Sequence, residues 1–119
     1  MAGHSTFFSL PDHLARIEPP EAGKRSLILI KTNQLRVVLL RMAAGSDLRE
    51  HSAPGQITIK ALSGRFTVAV EEDTYELTDN ELLTIDQDIR HSVFCTEDGA
   101  FLLTIAWPRG SDAVSSGEA

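Results

Sequence analysis

The sequence of 119 residues has a single cysteine, Cys95. One cysteine excludes an internal disulfide and every zinc or redox site that is built from paired cysteines. The shortage of cysteine is typical of proteins from a reducing compartment, which favours a cytoplasmic location. Because a small thiol packs well in an apolar interior and no flanking cation is present to activate it, we interpret Cys95 as a core residue rather than a reactive thiol.

The chain also lacks a long hydrophobic run and a cluster of basic residues. Its longest apolar segments fall far short of the roughly 20 residues that cross a bilayer. The first ten residues have no basic stretch followed by an apolar one, so we expect no signal peptide. The net charge is -6, and the 11 Lys and Arg residues are scattered along the chain. These features predict neither a nucleic-acid partner nor a membrane partner.

Helical periodicity is nearly missing as well, and short strand-like segments take its place. One helical turn is predicted near Pro11–Leu14, before the prolines at positions 19 and 20. The remaining chain contains about ten short segments that are rich in Ile, Leu and Val, each bounded by turn residues. Ser63–Gly64 is predicted to end one of these segments, and Glu97–Gly99 carries the Asp-Gly pair of a hairpin turn. The pattern predicts an all-β sandwich or barrel.

The domain organisation follows from where these segments begin and end. Residues 1–25 form an N-terminal arm and lead-in, residues 26–108 a single β-barrel domain, and residues 109–119 a small, polar and flexible tail.

Two stretches of the chain resemble the sequence motifs of the cupins. The first motif is matched in spacing by Gly45, His51, Ala53, Ile57 and Gly64. The second is matched in spacing by Asn80, Asp86, Asp88, His91 and Cys95. In identity, only the two glycines of the first motif, His51 and His91 agree with the family. The resemblance implies a small stand-alone cupin with an RmlC-like fold, which is a double-stranded β-helix or jelly-roll barrel of short antiparallel strands.

The resemblance also implies a degenerate metal site. Cupin metal centres use two histidines and a glutamate from the first motif and one histidine from the second. Here Ala53 and Ile57 replace two of those ligands, so only His51 and His91 remain as ligand or metal candidates, facing each other across the mouth of the barrel. Cys95 is about 13 Å along the strand from His91, which is too far for one shared metal. Two imidazoles imply at most a weakly held divalent transition metal such as Zn, Ni, Fe or Mn.

Three functional hypotheses remain open on the sequence alone, and none identifies a catalytic residue. In the first, the barrel binds a small organic ligand in a lumen lined by Ala53, Ile57, Ile59, Val93 and Cys95. In the second, the protein is a metal-dependent cupin enzyme of the oxygenase or isomerase type. In the third, it is a homodimeric scaffold with a vestigial site, associated through the apolar segments 26–31 and 35–42. Whether the protein is an enzyme stays undecided.

Overall fold

The computed structural model describes residues 4–107, which form one short helix and seven strands. The elements are α1 (Leu10–Leu14), β1 (Lys24–Lys31), β2 (Leu35–Met42), β3 (Asp47–His51), β4 (Ile57–Val70), β5 (Asp73–Leu77), β6 (Leu82–Ile85) and β7 (His91–Ala106). The predicted all-β jelly-roll class is confirmed. The prediction of a flexible tail at residues 109–119 lies outside the described residues.

The two long strands β4 and β7 organise the barrel because they pair with each other along most of their length. The first half of β4 and the second half of β7 belong to one sheet, in the order β1-β2-β7-β4-β6. The other halves belong to a second sheet, in the order β3-β7-β4-β5. All of these pairs are antiparallel. The main hydrophobic core includes buried side chains from the β4 and β7 halves of both sheets.

Two turns that the sequence predicted are wrong, since both lie inside a strand. Ser63–Gly64 is part of β4, and Glu97–Gly99 is part of β7. The pairing of the two strands shifts register three times between Ala61 and Phe66, and such bulges bend strands from one sheet into the other. The Asp-Gly pair therefore lies at a bend within a long strand rather than in a hairpin turn. For this reason the structure has fewer and longer strands than predicted.

The bend depends on glycine because the two backbones touch there. A Cβ atom added to Gly99 would lie 2.2 Å from the carbonyl oxygen of Ser63. A Cβ atom added to Gly64 would lie 2.5 Å from the carbonyl oxygen of Asp98, and the φ angle of Gly64 is +80°. These contacts are far below van der Waals distance, so the close approach of β4 and β7 requires that neither residue has a side chain.

The strand β2 is covered on both faces. Leu39 is completely buried although it points to the opposite face from Val38 and Leu40, which belong to the main core. The N-terminal segment lies against this opposite face, where Arg41 Nη2 donates a hydrogen bond of 3.2 Å to the Leu14 carbonyl. Within residues 4–107, no helix is long and apolar enough to span a membrane.

Candidate functional site

The candidate site lies at the end of the barrel opposite the bend. In the first sheet, the row of paired residues near this end is Arg36, Ile105, Ile57 and Ile85. In the second sheet, the corresponding row is His51, His91, Val70 and Asp73. Because both rows lie at the ends of β4 and β7 that are far from the glycine bend, the two sheets bring them to the same open end of the barrel.

His51 and His91 lie side by side at this end. They are cross-strand partners on β3 and β7, their ring centroids are 4.5 Å apart, and the rings are tilted by 60° to each other. The prediction that they face each other across the mouth is therefore wrong. The reason is the strand order: β3 and β7 are neighbours in one sheet, and cross-strand partners have adjacent side chains.

Both rings are held in the same tautomer by a backbone carbonyl two residues earlier in the chain. His51 Nδ1 lies 2.5 Å from the Arg49 carbonyl oxygen, and His91 Nδ1 lies 3.0 Å from the Ile89 carbonyl oxygen. A carbonyl oxygen only accepts hydrogen bonds, so Nδ1 carries the proton and Nε2 carries the lone pair in each neutral ring. The two histidines thus present two Nε2 acceptors at the open end.

Burial keeps His91 neutral. Its side chain is 2% exposed, and this desolvation lowers the pKa of His91 below its ordinary value of 6.5. The hydrogen bond to the Ile89 carbonyl opposes the shift, and the neighbouring His51 adds to it. At physiological pH the ring of His91 is therefore an uncharged hydrogen-bond acceptor rather than a cation.

The Nε2 atom of His51 has no hydrogen-bond partner although it is buried. An unsatisfied buried acceptor costs about 1–3 kcal/mol, and native proteins contain few of them. The atom belongs to a ring that is otherwise anchored through Nδ1, so the ring is not free to turn Nε2 toward water without losing that bond. This unsatisfied acceptor is the strongest indication of a ligand site in the described chain.

The donor set does not fit a cupin metal centre. The side chains at the two replaced ligand positions, Ala53 and Ile57, are apolar and buried. No group of three or more His, Cys, Asp or Glu residues within positions 4–107 is arranged to hold a metal ion. Cys95 Sγ donates to the Glu97 carbonyl at 3.1 Å, and burial, with a smaller contribution from the charge of Asp98, raises the pKa of this thiol. Two imidazoles without a carboxylate do not form the usual iron site of the oxygenases.

The residues predicted to line a lumen belong to the packed core. All five of them are at most 3% exposed and are part of the main hydrophobic cluster: Ala53, Ile57, Ile59, Val93 and Cys95. A set of partly buried side chains packs against this cluster: Leu48, Val70, Leu83, Ile89 and Trp107.

Sequence reasoning missed Arg36 as a residue of this end. Arg36 has the same strand parity as Val38 and Leu40, whose side chains are in the core. The guanidinium carbon of Arg36 lies 4.7 Å from the ring centroid of Trp107. The parity of β2 could have revealed Arg36, but the outer positions of this strand are apolar too and hide the alternation.

Comparisons with known proteins support the fold. No family model matches the sequence, and no curated protein matches it. A cupin superfamily protein from Desulfitobacterium hafniense has a similar structure, with a TM-score of 0.76 at 17% identity over 79% of this chain and 86% of that one.

Two further solved structures cover more of the chain. A conserved protein from Klebsiella pneumoniae with a double-stranded β-helix domain has a TM-score of 0.73 at 18% identity, over 91% of this chain and 95% of that one. The conserved protein SPY1581 of unknown function from Streptococcus pyogenes has a TM-score of 0.78 at 19% identity, over 92% and 93% of the two chains. With the two-sheet barrel and the histidine pair in place, the chain has the fold of the cupin superfamily.

Proposed function

We propose that this cupin-fold protein binds a small organic molecule at the open end of its barrel, through His51 and His91. The observation that carries the proposal is the buried Nε2 atom of His51, which has no hydrogen-bond partner. A ligand that donates a hydrogen bond to this atom removes the cost of leaving it unsatisfied. The second acceptor, Nε2 of His91, lies on the adjacent ring and allows a two-point contact.

The chemistry of the pair restricts the ligand. Two neutral imidazole acceptors select groups that carry an O–H or N–H bond, such as hydroxyl, amine or amide groups. The side chains packed around the core at this end include Leu48, Val70 and Ile89, which are apolar and partly buried. Small-molecule sites typically combine such apolar walls with a few well-placed polar groups.

The test uses untagged, 15N-labelled protein and a panel of small polyols, amines, amides and hydroxy acids. The chain has one tryptophan, so Trp107 gives the only indole N–H signal in the NMR spectrum and reports on the open end. Binding should shift this signal and weaken at least about tenfold in His51→Phe and in His91→Phe, because each variant removes an acceptor but keeps an aromatic ring. His4→Phe, at an exposed histidine of the N-terminal segment, is the matched control.

Two results would contradict the proposal. One is that no compound of the panel shifts the indole signal or the signals of strands β3 and β7. The other is that binding at this end keeps its affinity in both histidine variants.

A homodimer is a second proposal, and it concerns the edge of the first sheet. Strand β1 is the last strand of that sheet, so one of its edges has no partner strand among residues 4–107. Ile28 on this strand is 52% exposed. Edge strands of this kind pair with further strands when nothing protects them. Light scattering of the wild type and of Ile28→Lys tests this, because a dimer through β1 should dissociate in the variant.

A further inference from the structure

We infer that a second site, in a cleft between the N-terminal segment and strand β1, binds a small carboxylate that has an apolar body. Arg16 and Arg25 supply the positive charge of this site. None of the residues that line the cleft belongs to β3 or β7, so the site is separate from the histidine pair and the inference goes beyond the proposed function.

The cleft is built into the fold. Its volume is about 450 Å³, which is within the usual range of small-molecule sites. Residues between positions 8 and 18 form one wall, and residues 25–29 of β1 form the other. The first wall is attached to the sheet, because Ile17 is buried and Arg41 Nη2 donates a hydrogen bond of 3.2 Å to the Leu14 carbonyl.

The two arginines come from opposite walls of the cleft, and both are exposed. Arg16 forms no ion pair or side-chain hydrogen bond with any other residue between positions 4 and 107. Arg25 Nη1 lies 3.9 Å from Glu18 Oε1, and both of these side chains are more than half exposed. Exposed ion pairs contribute little to stability, so Arg25 exchanges Glu18 for a carboxylate of a ligand at a small cost.

The charge of the cleft selects the kind of anion. Its charged lining residues are Arg16, Arg25 and Glu18, which leave one positive charge in excess. A carboxylate with a single negative charge neutralises this excess, whereas a doubly charged phosphate would be repelled by Glu18. Guanidinium groups also match a carboxylate in geometry, since they bind it through two parallel hydrogen bonds.

The remaining lining gives the ligand an apolar surface. Phe8 and His13 pack edge to face, with ring centroids 5.5 Å apart, and His13 Nδ1 donates to the Ser9 carbonyl at 2.9 Å. Ile17 and Leu27 also line the cleft. Small-molecule sites typically combine apolar walls of this kind with a few charged or polar groups. An aromatic ring in the ligand would extend the edge-to-face packing of Phe8 and His13.

The experiment separates the charge of the probe from its apolar body. Phenylacetate is compared with phenylacetamide, which lacks the charge, and with acetate, which lacks the ring. The backbone amide signals of residues 13–18 and 24–29 of untagged, 15N-labelled protein measure Kd for the wild type, Arg16→Gln and Arg25→Gln. Lys24→Gln is the matched control, because Lys24 is an exposed cation of β1 that does not line the cleft.

Phenylacetate should bind the wild type about fivefold more tightly than phenylacetamide, and acetate should bind more weakly than phenylacetate. Arg16→Gln and Arg25→Gln should each weaken phenylacetate binding about threefold, with little change for the amide. Glu18→Gln should strengthen phenylacetate binding about twofold, because it removes a competing carboxylate. Added salt should reduce the preference for the acid, since the charges are exposed.

Two controls keep the measurement interpretable. Far-UV circular dichroism checks that each variant is folded. If Arg16→Gln is not folded, Arg16→Lys decides the question, because an ammonium group keeps the charge but loses the two parallel hydrogen bonds and should therefore bind phenylacetate more weakly. Ile28 of the proposed dimer edge also lines the cleft, so light scattering of the same samples shows whether binding is measured on a monomer or a dimer.

Three results overturn the inference. The first is equal binding of phenylacetate and phenylacetamide, and the second is phenylacetate binding that neither Arg16→Gln nor Arg25→Gln changes. The third is the absence of saturable shifts in the signals of the two walls. Shifts that are confined to β3 and β7 and that disappear in His51→Phe also overturn it, but they support the proposed function at the histidine pair.

Discussion

Alanine substitutions at Gly45, Gly64 and Gly99 separate two reasons why a position requires glycine. One is a lack of space for a Cβ atom, and the other is a left-handed backbone conformation. At Gly99 the reason is a lack of space, because an added Cβ would lie 2.2 Å from the Ser63 oxygen and 2.7 Å from Gly64 Cα. Both neighbours are backbone atoms of the paired strand, so neither can rotate away. The φ angle of Gly99 is outside the left-handed region, and conformational strain therefore adds nothing there.

Gly45 presents the opposite case. Its φ angle is +90°, and an added Cβ would have no atom within 4 Å. Alanine at this position costs only the left-handed conformation, which is about 1–2 kcal/mol. Gly64 combines the two effects, with a φ of +80° and a contact of 2.5 Å to the Asp98 oxygen.

These differences predict how much unfolding free energy each of the three alanine variants loses. Inserting a methyl group into a tightly packed place costs about 1–3 kcal/mol, and a contact with immobile backbone belongs at the upper end of this range. We expect a loss of about 1–2 kcal/mol for Gly45→Ala, about 3 for Gly99→Ala and about 4–5 for Gly64→Ala. A domain of this size has a total stability of roughly 5–15 kcal/mol, so Gly64→Ala comes close to unfolding if the total is at the lower end of this range.

Urea denaturation followed by far-UV circular dichroism measures the three free energies of unfolding. In thermal melts, each kcal/mol should lower Tm by roughly 4–8 °C. The reasoning is refuted if Gly99→Ala is as stable as the wild type, since its cost would then not come from contact between the strands. It is equally refuted if Gly45→Ala is the least stable of the three.

Three further predictions concern the site and its surroundings. Burial lowers the pKa of His91 below 6.5, so the unfolded chain binds a proton at this residue at a higher pH than the folded chain does. The contribution of His91 to the free energy of unfolding should therefore be constant above about pH 6.5 and fall as the pH drops below it, and His91→Phe should reduce this slope in urea titrations. The thiol of Cys95 is completely buried, and its pKa is raised. A disulfide reagent at pH 8 should therefore modify Cys95 about 100-fold faster in denaturing urea than in buffer. Equal rates would show that the native core opens readily. Untagged wild type should carry far less than one transition metal ion per chain, as measured by plasma mass spectrometry. Ala53→His should raise this metal content because it adds a third imidazole. Stoichiometric metal in the wild type that disappears in His51→Ala would show that two histidines are enough to bind a metal ion.

The strand pattern was readable from the sequence because most strands have a local signature. Strand β2 was predicted with its observed bounds, since an uninterrupted apolar run between turn residues is a strong signal. The predicted breaks in β4 and β7 were wrong because glycine and Asp-Gly pairs mark bends and close approaches as well as turns. Only the contact between the two strands distinguishes these cases, and that contact joins residues more than 30 positions apart.

The candidate site was predicted in part, and the missing part has a physical explanation. The spacing of His51 and His91 within a cupin-like pattern indicated a histidine pair. Their tautomers, by contrast, depend on hydrogen bonds to the Arg49 and Ile89 carbonyls, which a sequence does not show. Arg36 lies far from both motifs along the chain.

The sequence by itself determined the all-β class, the cupin-like arrangement and the two histidines, because strand periodicity and motif spacing are local properties of the chain. The tertiary structure alone decided that the histidines are neighbours rather than opposites, that Nε2 of His51 is buried without a partner, and that Arg36 and Trp107 lie at the same end. These features depend on strand order and register, which arise when distant segments pair and one shared core is buried.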